Sequence, residues 1–298
     1  MGKVELKYWF KAARPKTLMV SAAPVVMSVA FASFYGKIQW LPALICLVFA
    51  VLAQVLSNLV NDYSDGVKGV DPNRIGPAYM VASGFITPKQ MRGAIILVAI
   101  LAFLIGCTLM FWGGWRLLPI GIVILLCAFG YSAGPYPLSE HGLGDLAVLL
   151  FYGLIPAVFT FYFQTGFVNY NIVLAGLSIG MVVNNLLILN NIRDVENDLL
   201  KGKKTTVGIF GKRTMTLVYY LNPVIAIALG FVFMYGLYPL WGWAIVIVPF
   251  AVYSSLLSYT FAKARGVVYN KLMGWTSLEA MLYALTVVVC AIFCAIVS

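Results

Sequence analysis

Apolar runs of 17 or more residues without a charged side chain recur along the whole of this chain, and nothing else in it restricts the fold as strongly. A helix needs about 20 apolar residues to cross roughly 30 Å of hydrocarbon. Inside a bilayer no water is present to satisfy exposed peptide groups, so a spanning segment must close its own hydrogen bonds. Nine such segments are expected, at about 18–35, 41–60, 93–111, 117–134, 146–164, 171–190, 216–236, 241–262 and 276–297, the last with Glu279 at its inner end. The expected fold is an all-α membrane protein, with about nine transmembrane helices in one bundle. Of 298 residues, 62% are hydrophobic and 10% charged, where a soluble domain carries about 25% charge. The longest connections, 61–92 and 191–215, leave no room for a soluble domain, so residues 1–298 are expected to form a single membrane domain.

Charge placement gives an orientation. Lys and Arg on one set of alternate connections number 18 of 20, leaving Lys37 and Arg116 on the other. Positive residues collect on the cytoplasmic side. The expected arrangement therefore has the N-terminus cytoplasmic, the C-terminus outside, and the chain multi-pass in the cell membrane. All ten acids fall on the cytoplasmic side as well. The net charge of +10 is then partly a topology signal, and no nucleic-acid motif or obligate protein partner is visible. Within residues 1–16, Lys3, Lys7 and Lys11 recur every four positions opposite Leu6, Trp9, Phe10 and Ala13. That pattern predicts an amphipathic helix lying on the bilayer surface.

Two acidic clusters stand out against this background. In 58–77, NLVNDYSDGVKGVDPNRIGP, a helix brings Asn58, Asn61, Asp62 and Asp65 within roughly 100° of one another. Carboxylates held together where water thins repel each other unless a cation lies between them. Oxygen ligands without His or Cys suit a hard ion such as Mg²⁺, which takes one or two carboxylates plus substrate phosphates. Gly66 and Gly69 then loosen the chain, and Lys68, Asp71 and Arg74 alternate base with acid, as a metal–diphosphate site requires. In 190–206, NNIRDVENDLLKGKKTT, Asn190, Asn191, Asp194, Asn197 and Asp198 share one helical face and Glu196 lies opposite. Asn58 and Asp62 are spaced as Asn190 and Asp194 are, and Asp65…Lys68-Gly69 as Asp198…Lys201-Gly202, so the clusters echo each other four spans apart.

The remaining signals read as structural. Five cysteines lie inside apolar spans with no metal spacing, and packing accounts for them. Seven tryptophans near span ends suggest interfacial belts. The loop 134–145, GPYPLSEHGLGD, puts the single histidine, His141, beside Glu140 and Asp145 on the side of the acidic clusters.

At these clusters the chain resembles the UbiA superfamily of intramembrane aromatic prenyltransferases. Asn61-Asp62-Tyr63-Ser64-Asp65 matches its NDxxD motif after span two, and Asp194-Val195-Glu196-Asn197-Asp198 its DxxxD motif after span six. The superfamily's third acid of the first motif falls on Gly69 here, with Asp71 the nearest substitute. Ala13-Arg14-Pro15-Lys16-Thr17, the run to Pro77, GPYPLSEHGLGD, the FQTG at Gln164 and RDVENDLLKGKKT resemble the branch whose acceptor is a dihydroxynaphthoate.

The resemblance implies transfer of a polyprenyl group from polyprenyl diphosphate to an aromatic acceptor, with loss of the ring carboxylate. It implies two Mg²⁺ ions bridging the diphosphate, held by Asp62, Asp65, Asp194 and Asp198 with Asp71 as a further ligand. Asn58, Asn61 and Asn190 would add oxygens or orient carboxylates. Lys68, Arg74, Arg193, Lys203 and Lys204 are the candidates for diphosphate, and Arg14 for an acceptor carboxylate. A sibling enzyme acting on 4-hydroxybenzoate or homogentisate is the alternative acceptor reading. The Lys-Arg pair expected after Tyr-Pro in benzoate enzymes is absent at Tyr136-Pro137-Leu138. A divalent-cation carrier, the alternative from another class, needs ligands deep in the membrane. The sequence places no charge mid-span.

Overall fold

The computed structural model describes residues 4–67, 76 and 78–297. Within them every regular element is helical, and the only strand-like feature is an isolated parallel bridge between His141 and Lys204. A short α1 (Leu6–Ala13) turns at Arg14 into α2 (Met19–Ala32), with a 49° bend between the two segments. Next come α3 (Trp40–Val67), α4 (Pro88–Thr108), its one-turn continuation α5 (Met110–Gly113), and α6 (Leu118–Gly130). A π-helical turn at Leu150–Leu154 joins α7 (Gly144–Leu149) to α8 (Ile155–Thr165). Then follow α9 (Tyr170–Leu200), the small α10 (Thr206–Phe210) and α11 (Lys212–Phe233). A bent pair, α12 (Leu240–Val246) and α13 (Val248–Lys263), leads to α14 (Val268–Val297).

Six of the described helices are long and apolar enough to cross a membrane, and counting each bent pair as one span brings the number to eight. The protein is therefore a multi-pass membrane protein, with six to eight spans rather than a clear nine. The segment expected at 117–134 is the one that falls short. Its helix runs only from Trp115 to Gly130, because Gly114 turns the chain before it and Gly134, both with positive φ, turns it after.

α9 is the axis of the bundle: 72% of its apolar window is buried, against 17% for α4 on the periphery. Two devices hold it there. Gly176 and Gly180, four apart on α9, meet Gly153 in the π-turn so closely that a Cβ on Gly153 would lie 2.5 Å from the Gly180 Cα. Membrane helices gain little from hydrophobicity against lipid, so such backbone-to-backbone approach supplies the attraction instead. On the other side Pro223 interrupts α11 and leaves the Tyr219 carbonyl, four residues earlier, without its helical donor. Asn185 of α9 donates its Nδ2 to that carbonyl at 3.0 Å, and Asn222 donates to Asn185 Oδ1 at 2.8 Å. The polar asparagines thus repair the proline break and fix α9 against α11. Around them Phe31, Phe161, Phe233, Trp243, Phe250 and Tyr283 form the main core.

Three expectations change here. Trp243 is fully buried against Gly230 rather than at an interface, because the α12–α13 bend folds it inward. Glu279 does not end a span: α14 already begins at Val268, so the residue lies three turns inside, buried, with Oε2 unpartnered. On α1, Trp9 packs inward with Tyr8 and Ala12, and Tyr8 stacks on Phe85 with centroids 4.3 Å apart. Leu6 and Phe10 stay exposed as expected.

Candidate active site

The C-terminal turns of α3 and α9 open onto one space. Asn58, Asn61 and Asp65 from the first, and Asn190, Arg193, Asp194, Asn197 and Asp198 from the second, line a single cavity of about 790 Å³. Lys203, three residues beyond α9, closes the gap. Its Nζ lies 3.3 Å from Asp65 Oδ1 and 3.6 Å from Glu140 Oε1. Burial pulls the pKa of this amine down, but Asp65, Asp198 and Glu140 around it outweigh burial and hold it above the usual lysine value. A tethered ammonium thus occupies the point where the two acidic helix ends converge.

The expected site residues divide by what they touch. Asp65 faces the cavity and accepts a hydrogen bond from the Tyr79 hydroxyl. Asp62, also expected as a metal ligand, is 1% exposed and is absent from the cavity wall. Its Oδ2 accepts the Met80 N–H at 2.8 Å and its Oδ1 the Val81 N–H at 2.9 Å. The carboxylate therefore anchors the turn that presents Tyr79. Asn58 donates to the Ala13 carbonyl at 2.9 Å, and Asn61 accepts from Arg14 Nη2 at 2.9 Å. Arg14 is the one described non-glycine residue with positive φ, 53°. That left-handed backbone is costly for a residue with a Cβ, and here it turns the guanidinium over the Tyr79 ring into the cavity.

Arg193 is more committed than expected for a diphosphate ligand. Its Nε and Nη2 both bind Asp194, at 2.8 and 2.6 Å, while Nη2 also reaches Asn190 and Nη1 reaches Asn270, each at 2.8 Å. This fork orients Asp194 and ties α9 to α14. Lys203 lines the cavity and Lys204 does not: the Lys204 N–H donates to the Glu140 carbonyl at 2.9 Å. Asp145 accepts hydrogen bonds from Asn184 and Thr206, and so knits the first turn of α7 to α9 and α10. Lys68, Asp71 and Arg74 lie outside the described residues. Tyr79, Asn270 and Lys201 join the wall without having been expected.

Among the described residues no three His, Cys, Asp or Glu side chains converge into a ready cation cage. The donor set is instead several oxygens on opposite walls of an open cavity. This fits a hard ion that completes its shell with substrate phosphate rather than with protein. Behind the polar cavity is a second, apolar one of about 140 Å³, walled by Phe49, Phe103, Phe151, Phe159 and Phe163. Gln54, Ser57, Tyr131 and Tyr152 line both, so the cavities abut at a ring of polar side chains, here called the neck.

The 1,4-dihydroxy-2-naphthoate octaprenyltransferase of Escherichia coli (strain K12) is 34% identical over 245 residues, 79% of each chain. That of Mycobacterium tuberculosis is 31% identical over 76% of this chain and 77% of its own. Among solved structures, a UbiA homolog from Archaeoglobus fulgidus bound to GPP and Mg²⁺ superposes with a TM-score of 0.65 over 95% of this chain and 99% of its own, at 14% identity. The apo UbiA homolog from Aeropyrum pernix K1 gives a TM-score of 0.69 over 91% and 97%, at 13% identity. The model of the UbiA prenyltransferase family matches residues 21–278. With a membrane bundle whose two acidic helix ends share one cavity, and with relatives of the same description over most of its length, the chain belongs to the UbiA prenyltransferase family and is a transferase.

Proposed function

We propose that this transferase moves a polyprenyl group from polyprenyl diphosphate to 1,4-dihydroxy-2-naphthoate, the step that makes demethylmenaquinol in menaquinone biosynthesis. The C–O bond to diphosphate breaks, the ring carbon bearing the carboxylate forms the new C–C bond, and CO₂ leaves. One observation carries the reading: a polar cavity with acids from two helix ends abuts an apolar one at a ring of polar side chains. A substrate with a charged head and a greasy tail has that outline. The naphthoate acceptor comes from the names of relatives in several bacteria.

Asp65, Asp194 and Asp198, with Asn61 and Asn190, would hold Mg²⁺ beside the diphosphate; Asp71 lies outside the described residues. Mg²⁺ bound there would supply charge neutralisation of the leaving group. Lys16, Lys201 and Lys203 line the same cavity and offer charge-assisted hydrogen bonds to diphosphate oxygens. Arg14, fixed by Asn61 and Tyr79, faces the cavity as a partner for the acceptor carboxylate. Phenylalanines of the apolar cavity exclude water from the allylic carbon and offer π-faces to its positive charge. Residues 1–298 would act as one domain in the cell membrane with the N-terminus and the site cytoplasmic and the C-terminus outside. Exposed Leu6 and Phe10 would lay α1 on the inner leaflet.

The test is to incubate membranes containing the protein with labelled polyprenyl diphosphate and, in turn, the naphthoate, 4-hydroxybenzoate and homogentisate. Product is expected from the naphthoate alone, lost in EDTA and restored by Mg²⁺. Prenylation of the benzoate instead would overturn the acceptor assignment, and turnover in EDTA would overturn the metal role.

Lys203 supplies a second prediction. Because its ammonium stands where a cation between Asp65 and Asp198 would stand, Lys203→Gln should tighten binding of Mn²⁺ alone about fivefold, the scale of one partly exposed ion pair. The same change should raise the KM for prenyl diphosphate. Calorimetry without substrate reads the first effect, and unchanged Mn²⁺ affinity would show that lysine and metal occupy different places.

A further inference from the structure

The chemistry of the neck narrows what can sit there. Gln54 on α3 is 7% exposed and lines both cavities. Its orientation follows from a chain of hydrogen bonds. Asn58 gives its Nδ2 to the Ala13 carbonyl at 2.9 Å, which leaves Asn58 Oδ1 facing back along the helix. Gln54 Nε2 approaches that oxygen at 3.5 Å, so Gln54 Oε1 is turned away from it. Among the described residues this Oε1 has no hydrogen-bond partner. A buried amide oxygen without a donor costs about 1–3 kcal/mol, a cost that is met when a bound molecule brings the donor.

The geometry points to Gln54 as the group that receives a ring hydroxyl of the aromatic acceptor, holding the acceptor in the neck; this rests on the prenyl-transfer reading above. Of the two proposed substrates only one has a donor to give. An ionised diphosphate offers acceptor oxygens alone, and a prenyl tail offers neither donor nor acceptor. An aromatic diol brings O–H groups. Position agrees with chemistry. A head among Asp65, Asp194 and Asp198 and a tail among the phenylalanines leave the first prenyl carbon at the neck, where the attacking ring must also be. The hydroxyls of Tyr131, Tyr152 and Ser57 bound the same space, which gives the ring polar edges in an otherwise apolar wall.

The test separates the two substrates. Gln54→Leu should raise the KM for the acceptor roughly tenfold, the loss of one buried hydrogen bond. The KM for prenyl diphosphate should change less than twofold. Wild-type enzyme should prefer the dihydroxy acceptor over its mono-O-methyl ethers by a similar factor, and Gln54→Leu should lose that preference. Equal rises in both KM values, or an unchanged acceptor KM, would overturn the assignment. So would a wild-type enzyme indifferent to both ethers, a result that needs no variant to fold. If wild type prenylates no naphthoate at all, the functional reading itself fails, which is a different result from a failed Gln54 test.

Discussion

Asp65→Ala and Asp198→Ala are expected to lower turnover by on the order of 10³-fold while leaving thermal stability close to that of the wild type, whereas Asp62→Ala is expected to unsettle the fold. Asp65 and Asp198 face a solvent-reachable cavity from the last turns of their helices, where the side chain supports little packing. Losing one preorganised charge at a reacting diphosphate typically costs 10²–10³-fold, and losing the metal it holds adds to that. Removing either aspartate also takes away a carboxylate that faces Lys203. Asp62 differs in kind. Its two oxygens satisfy the Met80 and Val81 amides in a buried turn, and each amide left unpaired costs about 1–3 kcal/mol. Thermal unfolding in detergent and Mn²⁺ titration separate the cases. The cavity variants should keep their melting temperature and lose metal; Asp62→Ala should lose several degrees first, and with them the Tyr79 contact to Asp65. An Asp62→Ala protein that melted like the wild type but bound no metal would return Asp62 to the ligand set.

The difference between those aspartates marks where sequence reading stops. Hydrocarbon forces every spanning peptide group into a helix and pushes charge to the helix ends. The helical fold, the two clusters and their shared cavity were therefore legible in the order of residues, while the count of nine spans was not met. Helical angle, however, says only that Asp62 and Asp65 lie on neighbouring faces. Which of them meets the cavity is decided by a turn at Met80 and Val81, 18 and 19 residues further on, that has no periodic pattern of its own. Tyr79 and Asn270 were missed for the same reason, since each reaches the site from an element that carries no motif. The choice between Lys203 and Lys204 depends on the turn after α9 and on a backbone bond to Glu140 that spacing does not reveal. Trp243 and Glu279 misled because a bent helix and an early helix start moved them from an interface into the interior.

Gly153→Val is expected to prevent accumulation of folded protein, although the residue touches neither substrate cavity. A Cβ at this position would meet the Gly180 Cα at 2.5 Å and the Gly176 carbonyl oxygen at 2.7 Å, both backbone atoms that no rotamer change can move aside. The π-turn at Leu150–Leu154 would have to withdraw from α9, and α9 has nowhere to go because Asn185 fixes its other side to α11. Overpacking in a well-filled interior costs about 1–3 kcal/mol even where side chains can yield, so contact between main chains should exceed that range. Gly153→Ala brings in the same Cβ and should lower the melting temperature nearly as far. Gly121→Ala on α6 is the control: a Cβ there meets nothing within 4 Å, and alanine favours a helix over glycine by about 1 kcal/mol. That variant should melt at or above the wild-type temperature. The functional consequence follows from where α9 ends. Any Gly153→Ala protein that survives should hold Asp194 and Asp198 displaced from Asp65, and should bind Mn²⁺ more weakly. If it melted low yet bound metal as the wild type does, the glycine contact would set stability alone and the site would be held by its own loops.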